Sequence, residues 1–324
     1  MKRFDVTALG ELLIDFTESG LSPQGNMLLE ANPGGAPCNV LSMLGKLGRK
    51  TCFIGKVGKD AFGDLLEKSL DAAKIASCGL KRDETVHTTL AFVHTKEDGD
   101  REFSFYRNPG ADMMLSASDV DLQLIRDARI FHFGTLTMTH EGCREATKLA
   151  VRTAREAGNI ISFDPNLREP LWDSLETARE QVDFGLRNCH ILKISDNEIL
   201  WFTKENNYDQ AIEALRRDYD IPLILLSMGK DGSRALCEGA DTYVPAFINP
   251  ATVETTGAGD TFCACVLSFV LDNWDRELKF SQEELTSMLR FANAAASIIT
   301  TRKGALMVMP SPGEIQALLT KHFT

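Results

Sequence analysis

Residues 253–271 read VETTGAGDTFCACVLSFVL, which sets three small residues and a lone carboxylate at the mouth of a long apolar run. Phe262, Val266, Leu267, Phe269, Val270 and Leu271 supply the buried face of a helix beginning near Gly257. A helix N-terminus leaves backbone N–H groups unpaired and carries positive partial charge. Gly257, Ala258 and Gly259 have no bulky side chain, so a phosphoryl group can come close to those N–H groups. Asp260 would then stand beside the transferring group, placed to take a proton from an attacking hydroxyl. Aspartate is also a preferred helix cap. Read alone, the segment favours the cap.

Three further glycine-bearing stretches share the chain with it. NPGGAPCNVLSMLGKLG (32–48) carries Gly34 and Gly35 into a helix, with Asn39 one turn in. ISFDPNLREPLW (161–172) ends a strand with Asp164, Asn166 and Arg168 close together. LLSMGKDGS (225–233) is a strand running into a glycine turn. Each alone has a plain structural reading as a turn or a self-bonded loop. None is a Walker loop: Gly-Lys at 45–46, 55–56, 58–59 and 229–230 is followed by Leu47, Val57, Asp60 and Asp231, not by the hydroxyl that holds magnesium. Nor does 257–262 complete the dinucleotide fingerprint, because position 262 is Phe.

Composition narrows the class. The 324 residues are 44% hydrophobic and 25% charged, as in a globular protein with a large core. No run of 18 apolar residues predicts a membrane span, and the N-terminus reads as a first strand rather than a signal peptide, so a cytoplasmic location is the expectation. The eight cysteines form no C-x-x-C pair and read as buried, reduced thiols. A net charge of −11, with scattered Lys and Arg, excludes a nucleic-acid surface and requires any phosphate site to be built locally.

Strand-like runs at 4–10, 51–57, 129–133, 160–164, 190–194 and 222–227 alternate with helical patterns at 35–48, 60–74, 139–157 and 174–187. That alternation predicts an α/β fold with a mostly parallel sheet covered by helices on both faces, its ligand beyond the carboxyl ends of the strands. Two regions break the pattern. Residues 11–33 read as two short apolar strands around the polar loop TESGLSPQGN, and 86–107 as a hairpin turning at Asp98-Gly99. Two readings of these regions on one 1–324 domain stand side by side: a small antiparallel sheet in which they pair, or two unrelated surface excursions.

In order and spacing, GGAPCNV and ETTGAGDTF resemble the two motifs of the PfkB, or ribokinase-like, family of ATP-dependent sugar kinases. The likeness runs from ALGELLIDF to RKGA, and DPNLREPLW, KISDNEI and FYRNPGADMML are most similar to its fructokinase branch. The resemblance implies a Rossmann-like sheet with a β-lid formed by about 11–33 and 86–107. It implies Asp260 as the base that deprotonates a sugar hydroxyl, Gly257, Ala258 and Gly259 as the anion hole, and Arg168, with Asp164 and Asn166, near the phosphates. Asp15, Gly34, Gly35, Asn39 and Arg107 match sugar contacts; Ser195, Ser227, Gly229, Gly232 and Asn293 match the nucleotide side. Mg²⁺ is implied as cofactor with ATP, and Glu198, in a motif where Ser195 replaces the usual asparagine, as the residue ordering its waters. Potassium is a further implied ion, near Glu254, where relatives commonly carry aspartate.

The activity so implied is transfer of phosphate from ATP to fructose. A 2-keto-3-deoxygluconate kinase, which also uses a lid Tyr-Arg pair, is the nearest alternative. A non-catalytic sugar-binding protein on the same fold and a dinucleotide-dependent oxidoreductase are readings from other classes. A homodimer through the lid is the expected assembly.

Overall fold

The computed structural model describes residues 2–95 and 101–323. The chain opens with β1 (Phe4–Leu9), β2 (Leu13–Leu21), β3 (Met27–Gly34), α1 (Ala36–Lys46), β4 (Thr51–Gly58), α2 (Ala61–Ala72), β5 (Ile75–Asp83), β6 (Leu90–Thr95) and β7 (Arg101–Tyr106). It continues through α3 (Leu122–Arg126), β8 (Ala128–Phe133), α4 (Glu141–Glu156), β9 (Ile160–Phe163), α5 (Leu175–Asn188), β10 (Ile191–Ser195), α6 (Asp196–Thr203), α7 (Tyr208–Asp218) and β11 (Leu223–Ser227). β12 (Ser233–Cys237), β13 (Ala240–Val244), α8 (Ala258–Asp272), α9 (Gln282–Ile299) and α10 (Pro312–Phe323) complete it. Among the described residues no helix is long and apolar enough to cross a membrane.

Nine strands form one sheet in the order β13-β12-β11-β10-β9-β8-β1-β4-β5, parallel except for β12 and β13. Strand residues alternate between two cores because successive side chains leave opposite faces. Val6, Ala8, Phe53, Leu223 and Leu225 pack on the layer holding α1, α2, α8, α9 and α10. Leu9, Ile54, Ile224 and Leu226 pack on the layer of α3 to α7. Both faces are therefore apolar, which is what makes these strands read as unbroken hydrophobic runs. α8 lies between α1 and α9 and is buried almost all round, from Asp260 to Leu271. β1 neighbours β4 on one side and β8 on the other, so chain progression reverses there and opens a crevice beyond the strand ends.

The second sheet has the order β3-β2-β6-β7. It differs from the expected form in two ways. β2 runs parallel to β6, so the sheet is mixed rather than antiparallel. Thr17 to Leu21, expected in a polar loop, belong to β2 and pair with β3, with a register slip between Glu18 and Gly20. The outer half of this hairpin is exposed on both faces, so its strand residues carry no apolar alternation to mark them. The proposed turn at Asp98-Gly99 lies outside the described residues.

Candidate active site

Two helix mouths meet beyond the strand ends. Gly35, N-cap of α1, has φ 125°, and a Cβ there would run into the backbone carbonyl of Glu11. With no side chain of its own to cap α1, the helix takes one from outside: Glu11 Oε1 accepts from Ala36 N at 2.7 Å. Gly257, N-cap of α8, has φ 76° and likewise supplies no side-chain cap. Asp260 lies inside α8 and makes no cap bond; its Oδ2 accepts from Asn39 Nδ2 at 2.8 Å. Of the two readings of the opening stretch, the cap is not what forms. Asp260 faces the neighbouring helix, and the first N–H groups of α8 are left without a side-chain acceptor.

A cleft of about 870 Å³ lies against these mouths, within the usual range for a small-molecule site. Gly35, Asn39, Gly257, Gly259 and Asp260 line it, with Asp15 from β2 and Asn166 and Arg168 from the loop after β9. Gly34 stands behind Asp15; a Cβ there would strike the Asp15 carboxylate. The cleft thus gathers carboxylates out of water, and their protonation shifts. Burial pushes Asp15 up to about 7, partly opposed by Arg168, and Glu11 up to about 7. Asp260 is also raised by burial, with the Asn39 hydrogen bond, Lys193 and Arg168 pulling against the rise.

Lys193 escaped the sequence reading. It sits on β10, buried, with Nζ 3.0 Å from Asp164 Oδ2 and 3.2 Å from Oδ1. A Cβ on Gly259 would stand 3.2 Å from the same Nζ, so the ammonium lies directly behind the α8 mouth. Burial alone would lower its proton affinity, but Asp164, Glu198 and Asp260 reverse that and hold it protonated. Asp164 is pushed up to about 7 by burial. A signal was present: lysine in the apolar strand HILKIS needs a partner, although its identity lay 29 residues away.

Other predicted residues are placed differently. Arg107 does not line the cleft. Its guanidinium is buried and committed to Asp112 (2.7 Å), Thr139 Oγ1 (2.9 Å) and the Leu136 carbonyl (3.0 Å), tying the end of β7 to the cleft wall. Asn293 accepts from Ser233 Oγ (2.8 Å) and donates to the Val244 and Pro245 carbonyls, so its amide holds α9 to β12 and the end of β13. Ser227, Gly229 and Gly232 form the end of β11 and the turn after it, away from the 870 Å³ cleft.

Ser195 and Glu198 make a capping box at α6, and Glu198 Oε1 also accepts from Leu167 N at 2.7 Å. Both line a second cavity of about 320 Å³, which shares Asn166, Arg168, Lys193 and Asn197 with the first. No cluster of three or more His, Cys, Asp or Glu suited to a metal occurs among the described residues. This donor set fits an ion carried mostly by phosphate oxygens and water, the usual habit of Mg²⁺.

The arrangement belongs to a known group. The pfkB family carbohydrate kinase model matches residues 3–312. The chain belongs to the pfkB carbohydrate kinase family. Within it, the chain is 40% identical to probable fructokinase-2 of Arabidopsis thaliana, over 97% of this chain and 95% of that one. A fructokinase with bound ATP from Xylella fastidiosa superimposes with TM-score 0.88 at 31% identity, covering 99% of both chains. A Vibrio cholerae O395 fructokinase in its fructose, ADP and calcium ion bound form superimposes with TM-score 0.86 at 26% identity, covering 98% of this chain and 99% of that one.

Two outcomes follow for this pfkB chain. A carboxyl whose folded pKa is raised contributes stability that is complete below its ordinary value and lost as pH rises toward the folded value. With Asp15 and Glu11 both near 7, the unliganded protein should lose stability between roughly pH 4 and pH 7. Asp15→Asn should therefore raise the urea midpoint at about pH 8, through an unfolding free energy larger by on the order of 1 kcal/mol. An unchanged midpoint would mean that the charge is compensated within the fold. Lys193→Met should lower kcat roughly 10²-fold with little change in sugar KM, measured on protein of wild-type circular dichroism.

Proposed function

We propose that this chain is an ATP-dependent fructokinase, converting D-fructose and ATP to D-fructose 6-phosphate and ADP. The observation that carries this is the Asn39–Asp260 contact, which turns the Asp260 carboxylate away from capping and sets it at the cleft beside an uncapped helix mouth. The fructokinases of Arabidopsis, Xylella and Vibrio, similar over nearly the whole chain, support fructose as acceptor.

In this reading Asp15, Gly34, Gly35 and Asn39 hold the sugar against the floor of the cleft. Asp260 accepts the proton of the attacking hydroxyl; its proton affinity, raised by burial, brings it closer to working pH than an exposed aspartate. The N–H of Gly259 faces the transferring phosphoryl, Ala258 N being held by the Thr255 carbonyl at 3.2 Å, while Lys193 and Arg168 bring positive charge to an acidic protein that lacks a basic surface. Magnesium, carried with ATP and with its waters held by Glu198, neutralises phosphate charge when bound. Phosphoryl transfer needs mainly positioning and charge stabilisation, and the residues at hand supply both.

The small sheet serves as the lid that excludes water, and Arg107 acts on the sugar indirectly, by bracing the lid against the Leu136–Thr139 wall. Ser195, Ser227, Gly229, Gly232 and the Asn293-bonded strands bound the nucleotide. Potassium would act on the loop leading to Gly257, where Glu254 Oε1 accepts from Gly304 N at 2.9 Å. A cytoplasmic setting suits the eight free cysteines. On the small sheet Leu21 and Met27 are cross-strand partners, 66% and 56% exposed, and we place a second copy of the chain there.

ADP release measured across fructose, ketodeoxygluconate, ribose and nucleosides, in potassium or sodium, tests the assignment. Fructose should be the preferred acceptor, and Asp260→Asn should lose roughly 10²–10⁴ in kcat while still binding both substrates. Preference for ketodeoxygluconate or a nucleoside would refute it; near-wild-type kcat in the variant would remove Asp260 from the chemistry. Light scattering should give twice the chain mass, and Leu21→Lys should return the monomer.

A further inference from the structure

Seven of the eight cysteines are buried, as expected, but Cys78 is exposed. It lies on β5, the edge strand of the large sheet, and its Sγ is 3.8 Å from that of Cys52 on β4, 26 positions earlier. The backbone brings them together through an irregularity. Cys52 pairs with Ala76 and Ile54 with Gly79, so three steps along β5 match two along β4, and Cys78 falls in the slip. Cys52 is fully buried, in the core under α3 and α4. One thiol thus meets solvent and the other waits behind it. Neither lines the cleft.

We propose that Cys52 and Cys78 are a hydroperoxide-sensitive dithiol that closes to a reversible disulfide. The Cys78 thiolate sulfur attacks one oxygen of hydrogen peroxide; the O–O bond breaks, hydroxide leaves and is protonated to water, and the sulfur, oxidised by two electrons, becomes a sulfenic acid. The Cys52 sulfur then attacks the Cys78 sulfur; the S–S bond forms, the S–O bond breaks, and the hydroxyl leaves as water with the Cys52 proton. Two thiols and one peroxide thereby give one disulfide and two waters. Closure needs the sulfurs to approach from 3.8 Å to about 2.05 Å. An edge strand at a register slip, paired on one side only, can supply that movement. Burial, reinforced by the neighbouring Cys78 thiol, raises the Cys52 thiol and keeps it protonated, which assigns first attack to Cys78. A transient redox disulfide is the kind an otherwise reducing compartment permits. The bond would staple β5 to β4 ahead of the 84–89 segment that enters β6 of the small sheet.

The test treats the reduced, full-length protein with stoichiometric hydrogen peroxide, blocks remaining thiols, and reads intact mass and non-reducing peptide maps. The expected wild-type product has lost two hydrogens, links the Cys52 and Cys78 peptides, reverts with dithiothreitol, and unfolds at a higher temperature than the reduced form. Cys78→Ser should not lose the two hydrogens, and Cys52→Ser should stop at an oxygen adduct on Cys78; both should keep wild-type turnover when reduced. Oxidation of wild-type Cys78 to a sulfinic acid or to an intermolecular disulfide, with Cys52 still free, would overturn the proposal. So would a linked product that unfolds no later than the reduced protein.

Discussion

The hydrogen bond from Asn39 to Asp260 joins residues 221 positions apart, and the site is organised around it. It fastens the first turn of α1 to the first turn of α8 and leaves both helix mouths without side-chain caps of their own. The α1 mouth is satisfied by Glu11 from beyond β1; at the α8 mouth Ala258 N donates to the Thr255 carbonyl and no side chain caps the helix. A helix mouth without a side-chain cap at the rim of a cavity suits an anion, and a buried carboxylate stands beside it.

An acidic chain that handles a polyanion must place its positive charge sparingly. Lys193 meets that need from within the fold. Its ammonium, buried among Asp164, Glu198 and Asp260, sits behind the α8 mouth and adds to the helix's own partial charge. The clustered acids are costly: Asp15, Glu11 and Asp164 all hold their protons more tightly than exposed carboxyls do. An unliganded site under such strain is a common trade of stability for function.

Much of the architecture was legible beforehand, for identifiable reasons. The large sheet is buried on both faces, so β4, β8, β9, β10 and β11 show as apolar runs, each falling within a residue or so of its expected position. The outer parts of β2 and β3 carry no such pattern, because side chains that meet water on both faces are not selected for alternation; TESGL read as a loop and folds as strand. Arg107 matches a sugar contact by resemblance, and the partners that hold its guanidinium, Asp112, Thr139 and Leu136, are brought near only by folding. The nearness of Cys52 and Cys78 has no mark in the sequence, because a register slip between neighbouring strands has no signature in composition.

By itself the amino-acid order determined the α/β class, the two small-residue helix mouths and the family whose motifs they resemble, since these rest on local periodicity and short-range spacing. The tertiary structure alone decided where the Asp260 carboxylate points: toward Asn39 and the cleft, not onto the α8 backbone. Capping and base catalysis draw on the same residue at the same helix end, and local sequence serves either. Its surroundings come from Asn39 and Lys193, brought in from other elements: hydrogen bonding and charge act through space, over a few ångströms, whatever the distance along the chain.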